Sequence, residues 1–146
     1  MDLIDLFEEI KKQENFTCGN GATKEEIDDF EKRLGITLPV SYKTFLETFG
    51  FALWFGHSIF GLSKDEEENA LIHTLEARED KLLEDARPLP LEAVILESYG
   101  GGGYYFLYCH PSPRAGEVIL IMDETFWNEV ESWQTFEDFI VYLLDI

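Results

Sequence analysis

Positive charge is scarce in this sequence. Eleven Lys plus Arg stand against thirty Asp plus Glu, a formal charge of −19. Such a chain is repelled by phosphate, which argues against direct binding of nucleic acid or of anionic membrane surfaces. The partners its field attracts are basic proteins. Cysteine is scarcer still. Cys18 and Cys109 are far apart and have no CxxC spacing. A chain of this length needs no disulfide or metal staple, and two free thiols in a reducing compartment are expected. No apolar run approaches the ~20 residues of a membrane-spanning helix. The N-terminal Met1-Asp2-Leu3-Ile4-Asp5 carries acids where a secretory signal carries lysines, so the expected location is the cytoplasm. Internal repeats and low-complexity linkers are also lacking, and residues 1–146 read as one domain.

What is present is a core. Hydrophobic residues make up 45% and aromatics 14% of the chain, enough to argue against disorder. Leu3, Leu6, Phe7 and Ile10 fall at i, i+3, i+4, i+7 and predict a helix from Asp2 to about Gln13. Asn15 to Ala22, with Gly19-Asn20-Gly21, predicts a loop. Thr23-Lys24-Glu25-Glu26 has the form of a capping box opening a second helix with Ile27, Phe30 and Leu34 inward, ended by Gly35. Pro39 opens a third, with Tyr42, Phe45, Leu46 and Phe49 on one face and Gly50 as its stop.

From Phe51 the pattern changes. Phe51–Phe55 and Ile59–Leu62 predict short strands. Ser63-Lys64-Asp65-Glu66 predicts a cap for a helix to about Asp85 with Leu71, Leu75 and Leu82 inward, closed by Pro88 and Pro90. Ala93–Leu96 and Tyr104–Cys109 flank Gly100–Gly103 and predict a hairpin. Glu117–Met122 predicts another strand, and Thr135 caps a last helix with Phe136, Phe139, Ile140, Leu143 and Leu144 inward. Helices, then antiparallel strands, then a helix is an α+β order: an antiparallel sheet packed against N-terminal and C-terminal helices.

Motifs for chemistry are weak. Gly100–Gly103 leads into a strand where a phosphate cradle would lead into a helix, and no Lys-Ser/Thr follows it. Cys109 and His110 are strand neighbours that point to opposite faces, so they make a poor thiol–imidazole pair; His57 and His73 have no sequence partner. Asp65-Glu66-Glu67-Glu68 and Asp123-Glu124 lack the alternating ligands and central glycine of a calcium loop. With thirty acids available, no chosen carboxylate pair is informative. Accordingly no catalytic residue, metal ligand or cofactor is expected. The acids do cluster: after Arg114 there is no Lys or Arg, only Glu117, Asp123, Glu124, Glu129, Glu131, Glu137, Asp138 and Asp145. Trp127 lies within that stretch and is the natural apolar anchor of a protein interface.

Thr23-Lys24-Glu25-Glu26-Ile27, Phe30-Glu31, Leu34, Leu38-Pro39-Val40-Ser41-Tyr42-Lys43-Thr44-Phe45-Leu46 and Phe49-Gly50 together resemble the signature of the SUKH superfamily, and more narrowly its Smi/Knr branch. The glycine-rich turn before an aromatic strand, the Ile119–Asp123 strand and the closing Thr135-Phe136-Glu137-Asp138-Phe139 are similar too, and in the same order. The resemblance implies an α+β domain without a catalytic motif. In bacteria it implies an immunity protein of a polymorphic toxin system, including the LXG type; fungal relatives regulate cell-wall synthesis.

The expectation is an immunity protein that neutralises a toxin, a basic nuclease domain, by covering its active-site region or an adjacent exosite. Asp65, Glu66, Glu67, Glu68, Asp123, Glu124, Trp127, Glu129 and Glu131 are the expected partner-facing residues. A regulatory or scaffold module of the fungal type and a carboxylate-pair hydrolase are the competing readings.

Overall fold

The computed structural model describes residues 1–79, 89–99, 103–122 and 125–146, with the side chains of residues 99 and 125–128 left aside. The elements follow the order α1 (Leu3–Lys11), β1 (Thr17–Cys18), α2 (Lys24–Leu34), α3 (Val40–Phe49), β2 (Ala52–Trp54), β3 (His57–Ile59), a 3-10 turn (Glu66–Glu68), α4 (Ala70–Glu79), β4 (Ala93–Tyr99), β5 (Gly103–Tyr108), β6 (Val118–Met122), β7 (Thr125–Trp133) and α5 (Phe136–Leu144). The class is α+β, with two antiparallel sheets ordered β1-β2-β3 and β4-β5-β6-β7.

The helices begin where local chemistry satisfies their free amides. Both halves of the α2 capping box form: Glu26 N–H donates to Thr23 Oγ1 at 3.1 Å and Thr23 N–H to Glu26 Oε1 at 3.0 Å. Gly35 ends the helix at φ +70, a conformation cheap only for glycine. Thr135 Oγ1 caps α5 by accepting from Asp138 N–H at 3.0 Å. Pro39 stands one position before α3, which starts at Val40.

The inward faces of α1, α3 and α5 meet in an aromatic layer. Phe7 packs edge-on against Phe49, with centroids 5.2 Å apart, and Tyr42 against Phe136 at 5.4 Å. One turn further along α5, Phe139 meets Tyr105 of β5 at 5.1 Å and Trp133 of β7 at 5.2 Å. Tyr42 is fully buried, yet its hydroxyl donates to the Phe60 carbonyl at 2.7 Å, so burial leaves no phenol unpaired. Backbones cross closely at the end of α3. A Cβ on Gly61 would lie 1.7 Å from the Gly50 oxygen.

Several elements differ from the sequence expectation. Thr17–Cys18, predicted as loop, pairs with Leu53 and Ala52 as β1; two residues are too few to show a period. The second short strand is His57–Ile59, because Phe55-Gly56 supply the turn, with Gly56 at φ +83. Phe60 and Gly61 then serve other partners: Phe60 N–H donates to Leu96 O at 2.7 Å and Gly61 N–H to Glu68 O at 3.0 Å. That second bond holds the chain as a closed loop, so α4 starts at Ala70 and is capped by Asn69, whose Oδ1 accepts from Ile72 N–H at 3.0 Å. Ser63 instead accepts from Asp65 N–H at 3.1 Å within the loop. Leu71 is buried and Leu75 half-buried; Leu82, the expected extension to Asp85 and Pro88 lie outside the described residues.

The hairpin forms, pairing Tyr99 with Gly103, while its turn at 100–102 lies outside the described residues. β4 runs three residues beyond the apolar run, past a register shift between Ile95 and Glu97. The largest omission is β7, which the sequence presents only as an acidic stretch. It is an edge strand, and exposed Glu129, Glu131 and Ser132 hide the period that a half-buried strand would show.

Candidate interaction surface

The first expected patch caps the loop before α4. Asp65, Glu66 and Glu67 are exposed there, and Glu68 is half-buried. Burial, then the charges of Asp65 and Glu67, push the Glu68 carboxyl up, and its Oε2 is shielded from solvent without a hydrogen-bond partner. His73 anchors the patch from α4: Nε2 lies 2.8 Å from the Glu67 carbonyl and the ring stacks on Phe60 at 4.5 Å. Beside the patch is a cleft of about 470 Å³ lined by Gly19, Asn20, Gly21, Phe51, Asp65 and Asn69 among others.

The second patch belongs to β7. Glu129 and Glu131 are exposed, with exposed Val130 between them. Arg114, the last cation in the chain, forms a fork here. Its Nε and Nη2 donate to Glu117 at 3.1 and 3.2 Å, while Nη1 and Nη2 both reach Glu129, Nη2 at 3.0 Å. The guanidinium carbon also sits 5.1 Å from the Tyr108 ring centroid. Glu129 is therefore partly neutralised, whereas Glu131 has no ion pair among the described residues. Asp123 and Glu124 lie outside the described residues; Trp127 contributes its backbone to β7.

The two patches are served by different elements. The 3-10 turn packs on α4, and α4 on β4, whereas β7 is the opposite edge of the same sheet. Three strand spacings of about 4.8 Å separate those edges.

One titratable pair was invisible in the sequence. Glu97, beyond the β4 irregularity, turns its carboxylate toward β3, where Oε1 accepts from Ser58 N–H at 3.3 Å and lies 4.0 Å from His57 Nδ1. Its Oε2 has neither solvent nor partner. Burial raises the Glu97 pKa from 4.5 to about 7, against the smaller opposing effect of the Ser58 bond. Burial also lowers that of His57. Neither residue lines the cleft beside the Asp65–Glu68 patch. Cys109 is buried, its thiol pushed up by burial and then by the Glu31 charge, and it donates to the Leu107 carbonyl at 3.7 Å. That is the opposite of an activated thiolate. Its neighbour His110 is exposed and bonds through its backbone to Thr37.

With the geometry in place, the comparison with family models is decisive: the model described as the SMI1 / KNR4 family (SUKH-1) matches residues 21–141. The chain belongs to the SUKH-1 family. No curated protein matches it. The SUKH-1 match runs from the loop before α2 into α5, so it takes in the helical residues on which the resemblance rested. In this SUKH-1 chain Tyr42, Phe45 and Leu46 are fully buried, and Gly50 closes α3. The motif specifies packing, not a binding surface. SUKH-1 domains are generally non-catalytic, and the family fits a protein-binding, immunity-type role.

Proposed function

We propose that this SUKH-1 chain is an immunity protein that binds and neutralises a cognate toxin, a nuclease, by covering its basic active-site region or an adjacent exosite. The observation that carries the proposal is charge: −19 overall, with eight acids and no Lys or Arg after Arg114. A nuclease must present cations to phosphate, and an acidic protein docked over them excludes the substrate. Charge sets the encounter rate, by ~10–10³-fold for strongly complementary partners. A few desolvated contacts set the lifetime.

Co-expression with the toxin-domain gene adjacent to this one is the test. Growth should be restored by the wild-type chain. Lysine substitution at Asp65, Glu66, Glu67 and Glu68, or at Asp123, Glu124, Glu129 and Glu131, should remove protection in whichever set faces the toxin. Absence of rescue by the wild-type chain, with both proteins expressed, would reject the immunity role. Rescue that survives both sets of reversals would reject the proposed surface.

A further inference from the structure

The two edges of the four-stranded sheet are treated differently. On the β4 side the edge is closed. Ile95 N–H donates to Thr74 Oγ1 of α4 at 3.0 Å, and the Leu96 carbonyl accepts from Phe60 N–H at 2.7 Å. On the β7 side, among the described residues, no hydrogen bond joins the backbone of 129–133 to anything beyond β6. An open edge exposes a row of donors and acceptors ready to pair with another chain.

What this edge rejects and accepts can be read from its side chains. Glu131 stands opposite Leu120 and Glu129 opposite Ile121. Since Leu120 and Ile121 are successive on β6, the two acids project to opposite faces of the sheet. Val130 is the extra residue at that register shift and is 55% exposed. A second copy pairing antiparallel about a two-fold axis at Val130 would set Glu129 against Glu131 on both sides, which like-charge repulsion disfavours. An extended segment carrying Lys or Arg meets the opposite situation: an acid on each face and an apolar residue between them.

We propose that the outer edge of β7, at Glu129–Trp133, is a docking line for an extended basic segment of a partner protein, which adds to the sheet as a fifth strand. The proposal takes the partner's identity, the toxin, from the immunity reading; the mode of docking stands on the edge itself. Main-chain pairing supplies affinity, and cationic side chains on the face of Glu131 supply selectivity. Glu131 dominates because it has no ion pair of its own, whereas Glu129 shares Arg114 with Glu117.

The isotope-labelled full chain is titrated with two end-blocked peptides of equal charge, one alternating lysine with valine, the other lysine with proline. Proline cannot donate to a ladder. The lysine–valine peptide should slow amide exchange at Glu129–Trp133, and the lysine–proline peptide should not. Glu131→Arg should weaken the lysine–valine peptide ~tenfold, and the same change of charge at the exposed Glu47 of α3, Glu47→Lys, should leave it unchanged. Equal effects of the two peptides, or protection centred on 65–68, would overturn the proposal. A complex with the toxin that rescues growth but leaves exchange at 129–133 unaltered would also overturn it, while leaving the immunity role intact. Protection of the edge by the lysine–valine peptide in a chain that rescues no toxin would uphold the edge and remove the toxin.

Discussion

Thr74 shows how far a single side chain can reach in this fold. It is a fully buried threonine on a helix, and its hydroxyl accepts from the Ile95 amide of β4, which has no strand neighbour on that side. Thr74→Val keeps the shape and removes the acceptor, leaving a buried N–H unpaired. That should cost about 1–3 kcal/mol, and a chain of this size should melt roughly 2–4 °C lower per kcal/mol. Calorimetry of the two proteins checks it; an unchanged midpoint would mean that the amide finds another acceptor. Nothing in the sequence marks Thr74, since its partner lies 21 positions away. Arg114 was legible only as the last cation. Its fork onto Glu117 and Glu129 needed the β6–β7 pairing that brings residue 129 back beside 114–117. By contrast Tyr42, Phe45, Phe136 and Phe139 were legible as core from spacing alone, because helical period is a local property.

At the scale of elements, the caps predicted for α2 and α5 and the glycine stops predicted for α2 and α3 form because they are settled within a few residues of chain. The elements that sequence missed depend on distant partners: β1 exists through β2, and β7 through β6. The same dependence creates the seam between the sheets, where the Glu97 carboxylate stands in for a backbone acceptor toward Ser58 while His57 lies on the same strand of the hairpin. The pKa of Glu97 is raised from 4.5 to about 7, so the folded chain holds this proton more tightly than the unfolded one. Its neutral form contributes stability fully below pH 4.5, and that contribution is lost as pH rises toward 7. The loss is at most about 3 kcal/mol. Glu97→Gln should remove this component. Compared by chemical denaturation at pH 5 and pH 8, the wild type should lose stability relative to the glutamine variant. A difference that does not vary with pH would show that the carboxyl titrates normally. Burial lowers the pKa of neighbouring His57.

For the molecule as a whole, charge was wholly legible and its distribution was not. The formal −19 follows from composition, but only the fold shows that Asp65–Glu68 and Glu129–Glu131 are served by opposite edges of one sheet. A toxin engaging both would have to span the sheet, so one patch is expected to dominate. The long-range field acts whichever it is. Association with the proposed toxin should slow about tenfold or more between low and physiological ionic strength, while dissociation changes little. Stopped-flow mixing at several salt concentrations measures both rates; a salt-independent association rate would mean that the field plays no part in recognition.

The crossing of Gly50 and Gly61 has a mechanical consequence. With the oxygen of one residue filling the space that a side chain on the other would need, the end of α3 and the segment leading to Asn69 have no compliant atoms between them. A pull exerted on the acids at 65–68 reaches the helix that carries Tyr42 and Phe45 through the Leu62 N–H bond to the Gly50 carbonyl at 3.0 Å. Even a methyl group at 61 would act as a wedge there, lifting the segment that seats the start of α4 away from the aromatic layer.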